Sequence, residues 1–148
     1  QNSRTTSSTE LLCTDICTMI QTTPDPNKAR ALRGMARQII DRIQETDTER
    51  FSSQIIKDYY EALHALSEAI AANNGIKTQG VGAHKQLIEY ICTQCTLSMS
   101  LQTIFEQLRT YRNRITYEGF TVGSEYLKRN QKRIQHLYQK LETCLDNT

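Results

Sequence analysis

Arginine, asparagine and tyrosine crowd one short stretch, Arg109-Thr110-Tyr111-Arg112-Asn113-Arg114-Ile115-Thr116-Tyr117. Those residue types suit one chemistry well. A guanidinium grips the non-bridging oxygens of a phosphodiester in bidentate fashion, and amide and phenol groups orient it. On a helix, Arg109 and Arg112 are neighbours, as are Arg112 and Thr116, and Asn113 and Tyr117. A fork, an amide and a phenol would then lie along one side. The pattern also has an ordinary structural reading. Charge runs on helices are mostly solvated faces, and arginine favours helix carboxyl ends. Residue types alone leave both open.

Other reactive side chains read more plainly. Cys92-Thr93-Gln94-Cys95 has a spacing suited to zinc or thiol redox chemistry. Zinc takes about four ligands, and Cys13 and Cys17 would complete a set only by coincidence of folding. Buried structural cysteines on a helix face are the favoured reading. The cysteines are odd in number and scattered through helical patterns. Reduced thiols in a cytosol are therefore expected, not a disulfide framework. His64, His84 and His136 stand at no metal-ligand spacing, so neither a metal nor another cofactor is expected. His64 lies beside an apolar stripe and reads as packed or half-exposed. His84 opens a helix and reads as solvated. Tyr59 reads as core and Tyr60 as a polar-tipped boundary residue, with base stacking the lesser alternative.

The elements that must position these groups are helices. A polar, Ser/Thr-rich head at residues 1–9 reads as disordered, and residues 10–146 as a single domain. A first helix begins near Ser8 or Thr9, with Leu12, Ile16, Met19 and Ile20 as its stripe. Asp25-Pro26 starts a second, since Asp caps and Pro suits the first helical position. It runs to about Glu45 with Leu32, Met35, Ala36, Ile39, Ile40 and Ile43 at helical period. A third runs from about Thr48 to Asn73, with Phe51, Ile55, Tyr59, Leu63, Leu66 and Ile70 inward, and Asn74-Gly75 ends it. The segment from Gly75 to Gly82 reads as loop. A fourth helix starts near Ala83, breaks near Ser98, and resumes through Ile115 to Gly119. The last starts with Ser124 as cap. No strand-like alternation is apparent. Short loops between long helices make the fold all-α, an up-and-down antiparallel bundle with an extra N-terminal helix.

The net charge of +2 is too small to argue for nucleic acid by itself. Any such case rests on local clustering. There is no apolar run near the ~20 residues of a membrane span and no visible signal peptide, so a cytoplasmic protein is expected.

Arg112-Asn113-Arg114-Ile115-Thr116-Tyr117-Glu118-Gly119 resembles the signature of the HEPN domains, found in prokaryotic toxin–antitoxin systems among others. Asp58-Tyr59-Tyr60-Glu61-Ala62-Leu63-His64-Ala65-Leu66 is similar to the family's long second helix, and Gly82-Ala83-His84-Lys85-Gln86-Leu87-Ile88-Glu89-Tyr90 to the start of its third. The resemblance covers about residues 29–145. It implies a helical-bundle homodimer whose last two helices pair across subunits around one positively charged cleft. It implies Arg112, Asn113 and Tyr117 facing that cleft, with Arg109, Arg114, Thr116, Lys128, Arg129, Lys132 and Arg133 along its rim. Active members cut RNA without metal, using an arginine, a polar residue and a histidine a few positions on. Many pair with a nucleotidyltransferase antitoxin. Here Thr116 and Tyr117 stand where that histidine belongs, and a phenol titrating near ~10 is a poor base at neutral pH. The resemblance therefore implies binding of RNA or a nucleotide ahead of cleavage. Two other readings stay open. One is a non-catalytic HEPN module that presents substrate to a nucleotidyltransferase. The other is a secreted helical-bundle ligand, which predicts disulfides.

Overall fold

The structure is a computed structural model that describes residues 18–148. Its elements in chain order are β1 (Thr18–Gln21), α1 (Pro26–Gln44), α2 (Ser52–Asn73), β2 (Ile76–Gln79), α3 (Ala83–Gln94), α4 (Met99–Glu118) and α5 (Ser124–Asp146). The class is all-α, an up-and-down helical bundle, with one small antiparallel ribbon of β1 and β2.

α2 is the centre of the bundle. It packs against α1, α4, α5, α3 and β2. Ile55, Ile56, Tyr59, Tyr60, Leu63, Leu66 and Ile70 are all buried on it. A helix that is apolar nearly all round belongs inside, with partners on every side. The outer helices bury single stripes: Ala29, Ala36 and Ile43 on α1, and Leu127, Ile134, Leu137, Leu141 and Leu145 on α5. Seven-residue spacing returns a side chain to nearly the same face after two turns. Met35 and Phe51, expected inward, are 48% and 43% exposed: Met35 falls off its stripe, and Phe51 precedes α2 in a non-helical conformation.

Local signals set most boundaries. The Asp25 carboxylate accepts from the Lys28 N–H at 3.0 Å and Pro26 opens α1. The Ser98 hydroxyl caps α4. Gly119, at φ +66°, closes it with its N–H on the Arg114 carbonyl. α2 starts at Ser52 rather than Thr48, because the Asp47 side chain accepts from the Glu49 and Arg50 N–H groups and holds a turn there. Gly123, not Ser124, is the residue before α5; the Ser124 hydroxyl instead donates to Glu49 at 2.7 Å.

Three expectations are corrected. The expected head and most of the expected first helix lie outside the described residues, but Thr18–Gln21 is strand, not helix. Its partner Ile76–Gln79 is strand where a loop was expected, with Thr18 opposite Gln79 and Gln21 opposite Ile76. The ribbon is anchored where the Thr22 N–H donates to the Gly75 carbonyl at 2.7 Å and the Asp25 N–H to the Ala72 carbonyl at 2.9 Å. The expectation of reduced thiols also fails. Cys95, just after α3, and Cys144, in the last turns of α5, form a disulfide with Cα atoms 5.6 Å apart. Tertiary packing brings them within bonding reach, which their spacing in the chain does not reveal. Cys92 is free, and Cys13 and Cys17 lie outside the described residues.

Candidate functional site

The arginine run lies on the last turns of α4, and Arg112 is the member that turns inward. Its side chain is only 20% exposed, and one terminal nitrogen is 3.3 Å from Glu61 on α2. The other donates to the Asn113 side-chain oxygen at 3.2 Å. Its carbon lies 5.8 Å from the centre of the Tyr60 ring. Each terminal nitrogen carries two N–H groups, so further donors remain for a ligand. The Nε–H is buried and has no partner. An enclosed donor left unpaired costs about 1–3 kcal/mol, a cost that packing elsewhere must offset.

Two histidines stand beside it. Tyr60, Glu61, His64 and Glu68 recur along one edge of α2 at three- and four-residue spacing. Gly82, at φ +82°, turns the chain into α3 in a conformation that glycine tolerates. That turn sets His84 over the α2 edge. The His64 and His84 rings are 4.4 Å apart, centre to centre. The Tyr60 hydroxyl meets Nδ1 of His84 at 3.2 Å, and Glu68 lies 3.8 Å from Nε2 of His64. Burial pushes the His64 imidazole below its ordinary value; Glu68 and Glu61 oppose this, while His84 and Arg112 reinforce it. Burial raises the Tyr60 phenol to about 12 against the pull of Arg112 and Arg109, so it stays protonated.

Every arginine of the run has an acidic neighbour. Arg109 pairs with Glu106 at 2.5 Å and Arg114 with Glu118 at 3.1 Å. The Arg114 guanidinium also covers the Phe120 ring at 3.8 Å. Within one chain the run is therefore a set of fixed ion pairs and not an open positive field.

Arg112 and Asn113 come together, and Arg109 sits one turn away. Tyr117 does not join them. It is 75% exposed, and five residues along a helix turn it about 140° from Arg112. Thr116 is exposed beside it. Lys128 reaches Glu49 at 2.6 Å, in the turn before α2 and far along the bundle from Glu61. Arg129 and Lys132 are exposed on α5, and Arg133 is held by Asn130 and Ser100. These α5 cations do not contact the Arg112 cluster.

An open groove of about 690 Å³ runs between α3 and α4, with Lys85, Glu89, Gln102 and Glu106 among its walls. Glu106 in its wall is the residue that pairs with Arg109. Among the described residues, no group of three or more His, Cys, Asp or Glu side chains could hold a metal ion. No helix there is long and apolar enough to cross a membrane. No family model matches the chain, and neither a curated protein nor a solved structure does.

Sequence reasoning missed the histidine pair. His64 and His84 have no motif spacing, and only the packing of α3 on α2 unites them. Tyr60, expected at the boundary, is 1% exposed. Its four-residue spacing from His64 was the one signal in the sequence for this edge.

Proposed function

We propose that the chain is a HEPN-like, toxin-type module that binds RNA or a nucleotide at the Arg112 site, with a nucleotidyltransferase antitoxin as its partner in the cytoplasm. The observation that carries this is the half-buried Arg112 guanidinium, seated on Tyr60 beside the paired His64 and His84 rings. The three segments that carry the resemblance converge there: Asp58–Leu66 brings Tyr60, Glu61 and His64, Gly82–Tyr90 brings His84, and α4 brings Arg112 itself. The partner class and a homodimer through α4 and α5 come from the resemblance. In such a dimer Tyr117 and the α5 cations would meet the second copy and line a shared cleft.

Binding is favoured over cleavage. RNA cleavage through the 2′-hydroxyl needs a base and an acid on opposite sides of the phosphorus. Two rings whose centres are 4.4 Å apart lie on one side of any phosphate they touch. Anisotropy of a labelled single-stranded RNA, without added metal, tests the proposal. Arg112→Ala is expected to weaken binding tenfold or more, about 1.4 kcal/mol, with the RNA intact on a gel. Unchanged affinity would leave a non-catalytic interaction module.

The Cys95–Cys144 disulfide favours a second reading, a secreted helical-bundle ligand, since such bonds persist mainly in oxidising compartments. It predicts that the native chain binds no RNA or nucleotide at all.

A further inference from the structure

Resting on the reading that the Arg112 site takes RNA or a nucleotide, we propose that its ligand is a terminal phosphate, the dianionic monoester of a nucleotide or of a phosphorylated RNA end. The His64–His84 pair takes up a proton as it binds.

The fixed charges around the pair set this up. α4 contributes Arg109 and Arg112 but also Glu106. α2 contributes Glu61 and Glu68. Two cations meet three anions there, so with both rings neutral the site has no net positive charge to offer a dianion. Histidine is the side chain whose charge changes between about pH 5 and 8. Two charged rings 4.4 Å apart repel each other, so an empty site resists the extra proton. A bound dianion relieves that repulsion and draws the proton in. An internal diester, with one negative charge, does so far less.

The geometry orients the donors. The Tyr60 hydroxyl occupies Nδ1 of His84, which leaves Nε2 directed away from Tyr60. With Nδ1 accepting from Tyr60, Nε2 carries a proton even in the neutral ring. His84 also sits in the first turn of α3, where the helix dipole favours an anion. A phosphate between His84 and Arg112 would take N–H donors from both. Burial keeps His64 neutral in the empty site, so its proton arrives with the ligand.

Calorimetry on the full chain tests this, with adenosine monophosphate, a 5′-phosphorylated trinucleotide, and adenylyl-adenosine, whose only phosphate is an internal diester. Two buffers of different ionisation enthalpy at about pH 7, just above the ordinary imidazole value, report proton uptake. The expected result is a preference of tenfold or more for one or both monoesters over the diester, with a proton taken up. Which monoester binds tells a nucleotide from an RNA end. His64→Gln should abolish the uptake, and His84→Gln, at an exposed position, the preference, with circular dichroism unchanged in both. Equal binding of monoester and diester, or none of the uptake, overturns the proposal and leaves the Arg112 reading standing. No binding of any of the three overturns both.

Discussion

The Tyr60 hydroxyl and Nδ1 of His84 meet at 3.2 Å across 24 positions of chain, and the contact pins the start of α3 to the core helix α2. The phenol is raised to about 12, so it keeps its hydrogen at any working pH. Tyr60→Phe removes one hydrogen bond and little volume. It should cost about 0.5–1.5 kcal/mol, read as a drop of a few degrees in Tm. It should also weaken nucleotide binding, because His84 loses its fixed orientation.

His64 gives the protein a pH dependence of known sign. Unfolded, it titrates near its ordinary value of 6.5; folded, it titrates lower because it is buried. Between those two values the unfolded chain holds more protons. Stability is therefore full above the ordinary value and falls as pH falls through the window below it, levelling off beneath the folded value. Chemical denaturation from about pH 7 to 5 should show this slope in wild type. His64→Gln should flatten it. An equal slope in both would place the titrating group elsewhere.

The disulfide joins positions 49 apart in the chain. In the chain-entropy account a loop of that length is worth about 4 kcal/mol, within a usual range of about 2–5. Reduction or Cys144→Ser should lower stability by that order in denaturant melts. Alkylation and peptide mapping of the native protein should find Cys92 modified and a Cys95–Cys144 linked pair. Both peptides alkylated would contradict the bond.

Gly75 holds φ +65°, and a Cβ there would press on the Thr22 carbonyl oxygen and on Pro24. Those are the residues that tie the ribbon to α1. Gly75→Ala should destabilise by about 2 kcal/mol, from left-handed strain and the clash together. Gly34, with open space where its Cβ would go and an ordinary helical conformation, is the control. Gly34→Ala should be neutral or stabilising, by up to about 1 kcal/mol.

Most helix boundaries were legible because their causes are local. Asp25-Pro26, the break at Ser98 and the stop at Gly119 each act within one turn. The central α2 was legible from its length and apolar run. The ribbon was not. Thr18–Gln21 is too short to show alternation, its residues also fit a helical period, and its pairing depends on Ile76–Gln79, more than fifty residues on. The Cys95–Cys144 bond is hidden for the same kind of reason, since an odd cysteine count says nothing of which thiols meet. The arginine run was legible from residue types, and Arg112 was singled out within it by the resemblance. Its inward turn towards Glu61, and the histidines beside it, depend on how three helices pack.

The proposed ligand site is Arg112, beside His64 and His84. The chain carries its own control, because His136 is exposed on α5 away from the cluster. The most direct measurement is the imidazole NMR spectrum of labelled histidines during titration with adenosine monophosphate. The His64 and His84 resonances are expected to move together along one binding curve, while His136 stays fixed, and Arg112→Ala is expected to abolish the movement. Movement of His136 alone, or of no histidine at saturating nucleotide, would contradict it.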